Sequence, residues 1–446
     1  MLIERVVFFQ PRTFASSNYR TSAGSEQMWP PWAALVLAPI AQQARMTVTL
    51  VDARVEQSRW TSTLGELSPY DLLAITVMTG KAIHDAVLAS EIAKSHGCRV
   101  IWGGPHVSLF PMETLEQAPV DAVIPGFGYE PLARLLGVIN RDGWPKRSID
   151  GVLVRSVNVN RLAVRKNYSA GTFPVPSASL DLITDWEPYI NEDVAIASRT
   201  ISSITSEGCS RRCTYCSEPQ TSNSTWYTRD VSNVVKQTAD LCQRSNANGV
   251  KFNDPNLFHD MKRALRFAEE FSGIVNLPWA ATMHPADLVS ASEACLTNLS
   301  RHGLVRLLVG LESPDPRIVR LAGKQYDPAY IPELARKLAR SGIRGMFTYI
   351  VGWPDAADEH YAQTVDSAFE IKNIWNEHQA KIHFLEPWPG TPIYRLLARR
   401  GASFPTTLTE WAEIDYYQAK YSLIHNAGEL SRIRKANETL SPYADA

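Results

Sequence analysis

Ser206-Glu207-Gly208-Cys209-Ser210-Arg211-Arg212-Cys213-Thr214-Tyr215-Cys216 decides how this chain is read. Three of the six cysteines fall inside it, spaced C-x3-C-x2-C. Free cysteines rarely cluster this way, so the stretch reads as a metal site. A closed structural zinc takes four protein ligands, and so does an iron–sulfur cluster held by protein alone. Three thiolates hold three corners of a 4Fe–4S cube and leave one iron open to an outside ligand. Tyr215, just before the last cysteine, is placed to shield that cube. Two plainer readings stand beside it: three incidental cysteines, and a zinc knuckle completed by a distant histidine.

The bulk numbers narrow the class. A chain of 446 residues, 45% hydrophobic and 20% charged, reads as a soluble globular protein of two or three domains. A net charge of −1 argues against a general nucleic-acid binder and favours a small metabolite as substrate. No apolar run reaches the roughly 18–20 residues that span a membrane. Met1–Phe9 is too short and too early-charged for a signal peptide and reads as a first strand. Cys98, Cys242 and Cys295 lie scattered, outside any disulfide framework, which fits a reducing cytoplasm.

Residues 1–145 alternate continuous apolar runs (Arg5–Phe9, Thr47–Val51, Leu72–Val77, Val100–Trp102, Ala122–Ile124) with helical stretches such as Pro31–Ala44 and Ile83–Ser95. That pattern predicts a doubly wound, Rossmann-like parallel sheet covered on both faces. Ligands bind beyond the carboxyl ends of such strands. There lie Met78-Thr79-Gly80, Gly103-Gly104-Pro105-His106 and Gly126-Phe127-Gly128-Tyr129-Glu130. Glycines at three successive strand ends let a large ligand approach the backbone. Residues 146–198 read as a connector, with Gly151–Arg155 and Arg161–Arg165 paired as a hairpin. Residues 199–400 carry six apolar strands, beginning near Thr200, Val250, Trp279, Val305, Met346 and Ile382, separated by helices. Phe258, Met261, Leu265 and Ala268 mark the apolar face of one helix, and Ile331–Arg340 another. Six such units predict a partial (β/α)6 barrel with its functional groups at the carboxyl ends of the strands. Residues 401–446 form a short helical segment in which Trp411, Tyr416, Tyr417 and Tyr421 make a core-facing stripe.

The cysteine stretch with Tyr215 resembles the cluster motif of radical S-adenosylmethionine enzymes. Asn253-Asp254, Gly310-Leu311-Glu312-Ser313, Tyr349-Ile350-Val351-Gly352-Trp353-Pro354 and Leu385-Glu386-Pro387-Trp388 fall at strand ends in that family's order. The resemblance implies S-adenosylmethionine on the open iron, with Asp254 accepting from its ammonium. Glu312 and Ser313 then reach the ribose or ammonium, and Tyr349 to Gly352 the adenine. Two departures stand out: Asn253 interrupts the usual acidic pair, and Glu207 replaces an arginine common before the first cysteine. Asp71–Ile75, Thr79-Gly80, Trp102–His106 and Asp121–Gly126 resemble the cobalamin-binding domain that precedes many such barrels. The Asp-x-His-x-x-Gly motif that gives cobalt a histidine occurs nowhere in the chain. The resemblance therefore implies base-off cobalamin, its lower face near Met78, Thr79 and Gly80. Gly103, Gly104, His106, Gly126, Gly128 and Glu130 lie around it, with His106 at the periphery or capping its loop.

Together these matches resemble cobalamin-dependent radical methyltransferases. They imply a 4Fe–4S cluster at Cys209, Cys213 and Cys216, and a deoxyadenosyl radical that takes hydrogen from an unactivated carbon. They also imply a methyl group carried by cobalamin. The expected substrate is a small molecule in a cleft walled by Trp226, His284, Trp353, Glu386 and Trp388. The expected electron donor is a flavodoxin or ferredoxin, and the expected state a cytoplasmic monomer. Ring closure or rearrangement without methyl transfer, and a vestigial first domain, are the competing readings.

Overall fold

Apolar strands flanked by helices on both sides can bury themselves only in a parallel sheet, and the computed structural model shows two of them. It describes residues 3–12, 28–155, 177–357, 359–414 and 427–441. The first sheet contains β1 (Arg5–Gln10), β2 (Thr47–Asp52), β3 (Asp71–Thr76), β4 (Arg99–Gly103), β5 (Ala122–Ile124) and β6 (Leu153–Val154). Its order is β2-β1-β3-β4-β5-β6, parallel except for β6 against β5. Alternation sends Val6, Phe8, Leu72 and Ala74 toward helices Trp32–Gln43 and Tyr129–Asp142. It sends Val7, Phe9, Leu73 and Ile75 toward helix Ala82–Ser95. Strand order reverses between β1 and β3, which puts a ligand crevice over their carboxyl ends.

The second sheet contains β7 (Asn191–Asp193), β8 (Ala197–Ser203), β11 (Gly249–Phe252), β12 (Trp279–Thr282), β13 (Leu304–Glu312), β14 (Arg344–Val351) and β15 (Gln379–Phe384). Its order is β15-β14-β13-β12-β11-β8-β7. Six strands are parallel, and β7 is antiparallel to β8 at the edge. Between β8 and β11 lies a small ribbon, β9 (Ser206–Gly208) paired antiparallel with β10 (Trp226–Thr228). The free edge of β15 is closed by a side chain. Asn437, on helix Ala427–Leu440, accepts from Ile382 N and donates to Ile382 O, both at 2.9 Å.

Several expectations shift in detail. Helix Met261–Ile274 buries Ala264, Phe267, Ala268 and Phe271, while Met261 and Leu265 sit at the margin of that face. Phe258 belongs to the short turn before the helix. The buried set meets Trp279: its ring centroid is 5.6 Å from Phe267 and 5.9 Å from Phe252. Leu153–Val154, in one arm of the expected hairpin, pairs antiparallel with Ala122–Val123 and extends the first sheet. Its other arm, Arg161–Arg165, lies outside the described residues, as do Tyr416, Tyr417 and Tyr421. Trp411 is buried, on helix Leu408–Ala412, but in the first domain's core: its ring lies 4.9 Å from Phe110.

The two sheets are bolted together. Trp32 donates to Ser202 Oγ at 3.1 Å, Tyr189 to Asp52 Oδ2 at 2.9 Å, and Met28 N to Asn191 Oδ1 at 3.0 Å. No helix among the described residues is long and apolar enough to cross a membrane.

Trp279 has no exposed surface. Replacing it with alanine removes the centre of the aromatic knot and should cost about 3–5 kcal/mol. Calorimetry should show the barrel's transition several degrees lower; an unchanged transition contradicts this packing account.

Candidate active site

β8 ends in a tight turn before β9, and that turn is held by buried charge. Asp254, at the end of β11, accepts from Thr205 N at 2.8 Å, from Thr205 Oγ1 at 2.6 Å and from Ser206 Oγ. Arg263 donates to Thr205 O at 2.8 Å and Arg229 O at 3.0 Å. Asp254 is 1% exposed, so it anchors the loop; the expected contact to an ammonium is corrected to this structural one.

Gly208 enters the cysteine loop at φ +76°. A Cβ there would lie 2.1 Å from Thr225 O, so no other residue fits. The far side of the loop hangs from the barrel backbone. Thr214 N donates to Ala322 O at 2.9 Å, Thr214 Oγ1 to Leu321 O at 2.7 Å, and Ile393 N to Thr214 O at 3.0 Å. Cys209, Cys213 and Cys216 are thus fixed by main-chain contacts on both sides. Burial raises all three thiols, Cys216 to about 12. Lys324 opposes that rise in each, the positive setting a thiolate ligand requires.

Lys324 pairs with Glu312 at 2.9 Å, and Tyr215 donates to the same carboxylate oxygen at 2.6 Å. Burial pulls the Lys324 ammonium down, but Glu312 and Cys213 outweigh it, so the charge stays. Glu312 holds φ +69°, a strained turn of the kind concentrated at functional sites. Behind it Ser313 bonds His360 Nε2 at 2.8 Å and is wholly buried, so it supports the loop from inside instead of facing a ribose. Tyr349 points beneath helix His360–Ile374, its hydroxyl 2.9 Å from Ser367 Oγ, which leaves only its backbone toward the barrel mouth. Gly352 follows the end of β14 at φ +83°. Trp353 is 3% exposed, gives its indole N–H to Ile350 O at 2.8 Å and meets Tyr215 edge-on at 5.5 Å. It backs the cysteine loop, which corrects its reading as a substrate wall.

The other wall candidates lie on the ribbon or beyond strand ends. Trp226 spans the ribbon, donating to Ser206 Oγ at 3.0 Å. His284 caps helix Pro285–Ser290 directly beyond β12. Glu386 and Trp388 are half-buried beyond β15, and Trp388 packs on the first domain's core. Sequence reading missed Lys251, whose ammonium lies 4.9 Å from the Trp29 ring centroid. Burial, reinforced by Arg306, pulls it down to about 8.

In the first domain Gly103, Gly104, Gly126 and Gly128 line an apolar cavity of about 130 Å³ with Phe8, Leu37, Ile101 and Leu132. Gly104 sits at φ +92°, its missing Cβ 2.9 Å from Val77 N, so the loop folds flat onto β3. His106 is 1% exposed; burial pushes it down to about 4, and its Nδ1 lies 3.0 Å from Thr79 Oγ1. It is a neutral loop cap. Gly80 turns the same loop at φ +104°, Met78 is half-buried beside it, and Glu130 pairs with Arg134 at 2.6 Å. Glu207 of the barrel also lines the cavity. Tyr129 donates to Glu207 Oε2, and Arg229 donates to that oxygen at 3.0 Å and to Tyr129 Oη at 2.8 Å. The charge that replaced arginine before Cys209 is neutralised there.

These residues fit the groups implied for them. Three soft thiols on one loop beside Lys324 suit a larger cluster with one open iron. The deep apolar slot behind the glycine loops suits a bulky planar heterocycle.

Residues 203–368 match the Radical SAM superfamily and residues 22–136 the B12 binding domain. An uncharacterized methyltransferase of Pyrococcus horikoshii is 24% identical over 377 residues, 82% of this chain and 78% of that protein. The anaerobic magnesium-protoporphyrin IX monomethyl ester cyclase of Cereibacter sphaeroides is 25% identical over 415 residues, 88% of this chain but 63% of the cyclase. The radical S-adenosylmethionine methyltransferase TsrM of Kitasatospora setae, solved with tryptophan substrate and an aza analogue of S-adenosylmethionine, superposes with TM-score 0.70 at 18% identity. That match covers 89% of this chain and 76% of TsrM. The cobalamin-dependent S-adenosylmethionine radical enzyme OxsB gives TM-score 0.68 at 13% identity, covering 89% of this chain and 61% of OxsB. At those identities the likeness is one of fold. With a B12-binding domain leading into a Radical SAM domain, the protein is a radical S-adenosylmethionine enzyme.

Proposed function

We propose that the chain methylates an unactivated carbon of a small metabolite, with S-adenosylmethionine at the cysteine loop and cobalamin held base-off over the glycine loops. The observation that carries this is a shared wall. Glu207, two residues before Cys209, lines the first domain's cavity, and a Cβ on Gly208 would lie 3.2 Å from the Phe127 ring. The two proposed cofactor sites therefore adjoin. When bound, the cluster and cobalamin supply one-electron cleavage of S-adenosylmethionine and a transferable methyl group.

The chain's own residues hold and orient. Cys209, Cys213 and Cys216 ligate the cluster, and Lys324 offsets its negative charge. The main chain from Tyr349 to Gly352 borders the adenine. His106, buried and bound to Thr79, would cap the loop beside the cobalamin. Met78, Thr79 and Gly80, with the slot lined by Gly103, Gly104, Gly126 and Gly128, would hold the cobalamin. Trp226, His284, Glu386 and Trp388 enclose the substrate and exclude water. We assign a flavodoxin or ferredoxin as electron donor, a reducing cytoplasmic setting, and action as a monomer. The kinship with a cyclase supports a second reading, ring closure without methyl transfer.

Replacing Cys209, Cys213 and Cys216 together with alanine should remove bound iron and all 5′-deoxyadenosine formation; surviving cleavage would sink the cluster assignment. Gly208→Ala should do nearly the same, since the clash with Thr225 O displaces the loop, and full iron content in that variant counts against the account. Gly104→Leu should lower cobalamin occupancy, read from visible absorbance, with iron unchanged. S-adenosylhomocysteine formed alongside 5′-deoxyadenosine marks methyl transfer; 5′-deoxyadenosine alone marks the cyclase-like reading.

A further inference from the structure

The inside of a closed barrel is filled by its own side chains. This half-barrel is different. On β14, Phe347, Tyr349 and Val351 are buried in the core under the helices, while Met346, Thr348 and Ile350 are half-buried. The second set faces the lumen, which is therefore not packed solid.

β11 shows how deep the lumen runs. Gly249, Lys251 and Asn253 share its inner face, opposite the core residues Val250 and Phe252. They pass from buried through half-buried to exposed. The lumen is thus shut at Gly249 and open at Asn253. What shuts it is the turn between β7 and β8. A Cβ on Gly249 would lie 2.6 Å from Ala197 Cβ and 3.0 Å from Ile196 Cγ2. Arg306 on β13 and Arg344 on β14 reach the same hairpin. Arg306 donates to Asp193 at 2.9 and 2.8 Å, and Arg344 to Ala195 O at 3.2 Å.

Lys251 therefore stands on a sealed floor and faces open space. Its register partners, Ser202 and Ala280, carry no charge. The Trp29 ring, its centroid 4.9 Å from the ammonium, steadies it by cation–π attraction but supplies no counter-charge. Asp193 draws on Lys251, but that carboxylate is already held by Arg306. Among the described residues Lys251 has no ion-pair partner. Pulled down to about 8 by burial and Arg306, it is still mainly an ammonium at neutral pH.

An enclosed charge that its own protein leaves unpaired is costly, and functional sites are where such groups are kept. We propose that Lys251 is a specificity determinant that anchors a carboxylate of the substrate at the floor of the half-barrel, beside Trp29. One ammonium matches the single charge of a carboxylate better than a phosphate dianion. A substrate held there extends toward the carboxyl ends of the strands, where the cysteine loop lies. The inference rests on the reading that the chain acts on a small metabolite, and it names that metabolite as an acid.

The test uses the cluster-loaded protein. Iron content and 5′-deoxyadenosine formation are measured on every sample, so failure of the cofactor reading shows separately. Trace acetylation with acetic anhydride, read by peptide mass spectrometry, reports how open Lys251 is. In protein saturated with S-adenosylhomocysteine, benzoate should slow labelling of Lys251 about tenfold, and its uncharged counterpart benzamide should not. Benzoate should also raise the melting temperature of the natural protein and of Lys251→Arg, but not of Lys251→Met. The labelling needs no variant, so it decides the matter even where a variant fails to fold. Four results overturn the proposal: a Lys251 that never labels, equal protection by benzoate and benzamide, full protection by S-adenosylhomocysteine alone, or equal stabilisation of Lys251→Met by benzoate.

Discussion

A half-buried carboxylate at a domain boundary persists best where positive charge and hydroxyl groups answer it on the spot. Glu207 is answered from both sides of the domain boundary: Arg229 belongs to its own barrel, and Tyr129 begins the last helix of the first domain. Burial and the neighbouring Glu207 raise Tyr129 far above its ordinary range, so it remains a hydroxyl donor. Because Glu207 immediately precedes Gly208 and Cys209, this one contact sets the cysteine loop against the glycine loops. Misplacement of about 1 Å between reacting groups is costly in catalysis. A rigid ion pair at the boundary is a direct way to prevent it.

Below that contact the site is built on paired charges. Asp254 and Arg263 hold the turn at Thr205, while Glu312, Lys324 and Tyr215 form a chain behind the cysteines. Each group is buried with its partner, so none is free to reorient when a ligand enters. The polar support stands in place of solvent, and the cysteine loop rides on it.

The fold was legible because parallel strands buried on both faces are continuous apolar runs that announce themselves. The cysteine loop was legible because spacing alone constrains its chemistry. Roles of single acids were not: an aspartate after a strand looks the same whether it binds a ligand or, like Asp254, holds the backbone. Trp353 and Ser313 show the same limit, since sequence does not say which way a side chain at a strand end turns. Helix Met261–Ile274 was found but its face was taken one position off, because Met261 and Leu265 flank the true stripe. Lys251 escaped notice as one cation in a short apolar strand, its meaning set by Trp29 more than 200 residues earlier.

A sheet that stops short of closing leaves a row of bare amides on its last strand, and such rows recruit strands from other molecules. Here the rung at Ile382 is already taken, both its N–H and its C=O engaged by the carboxamide of Asn437. A single side chain thus imitates a missing neighbour, guards the seam against strand exchange between molecules, and lets the half-cylinder stay ajar.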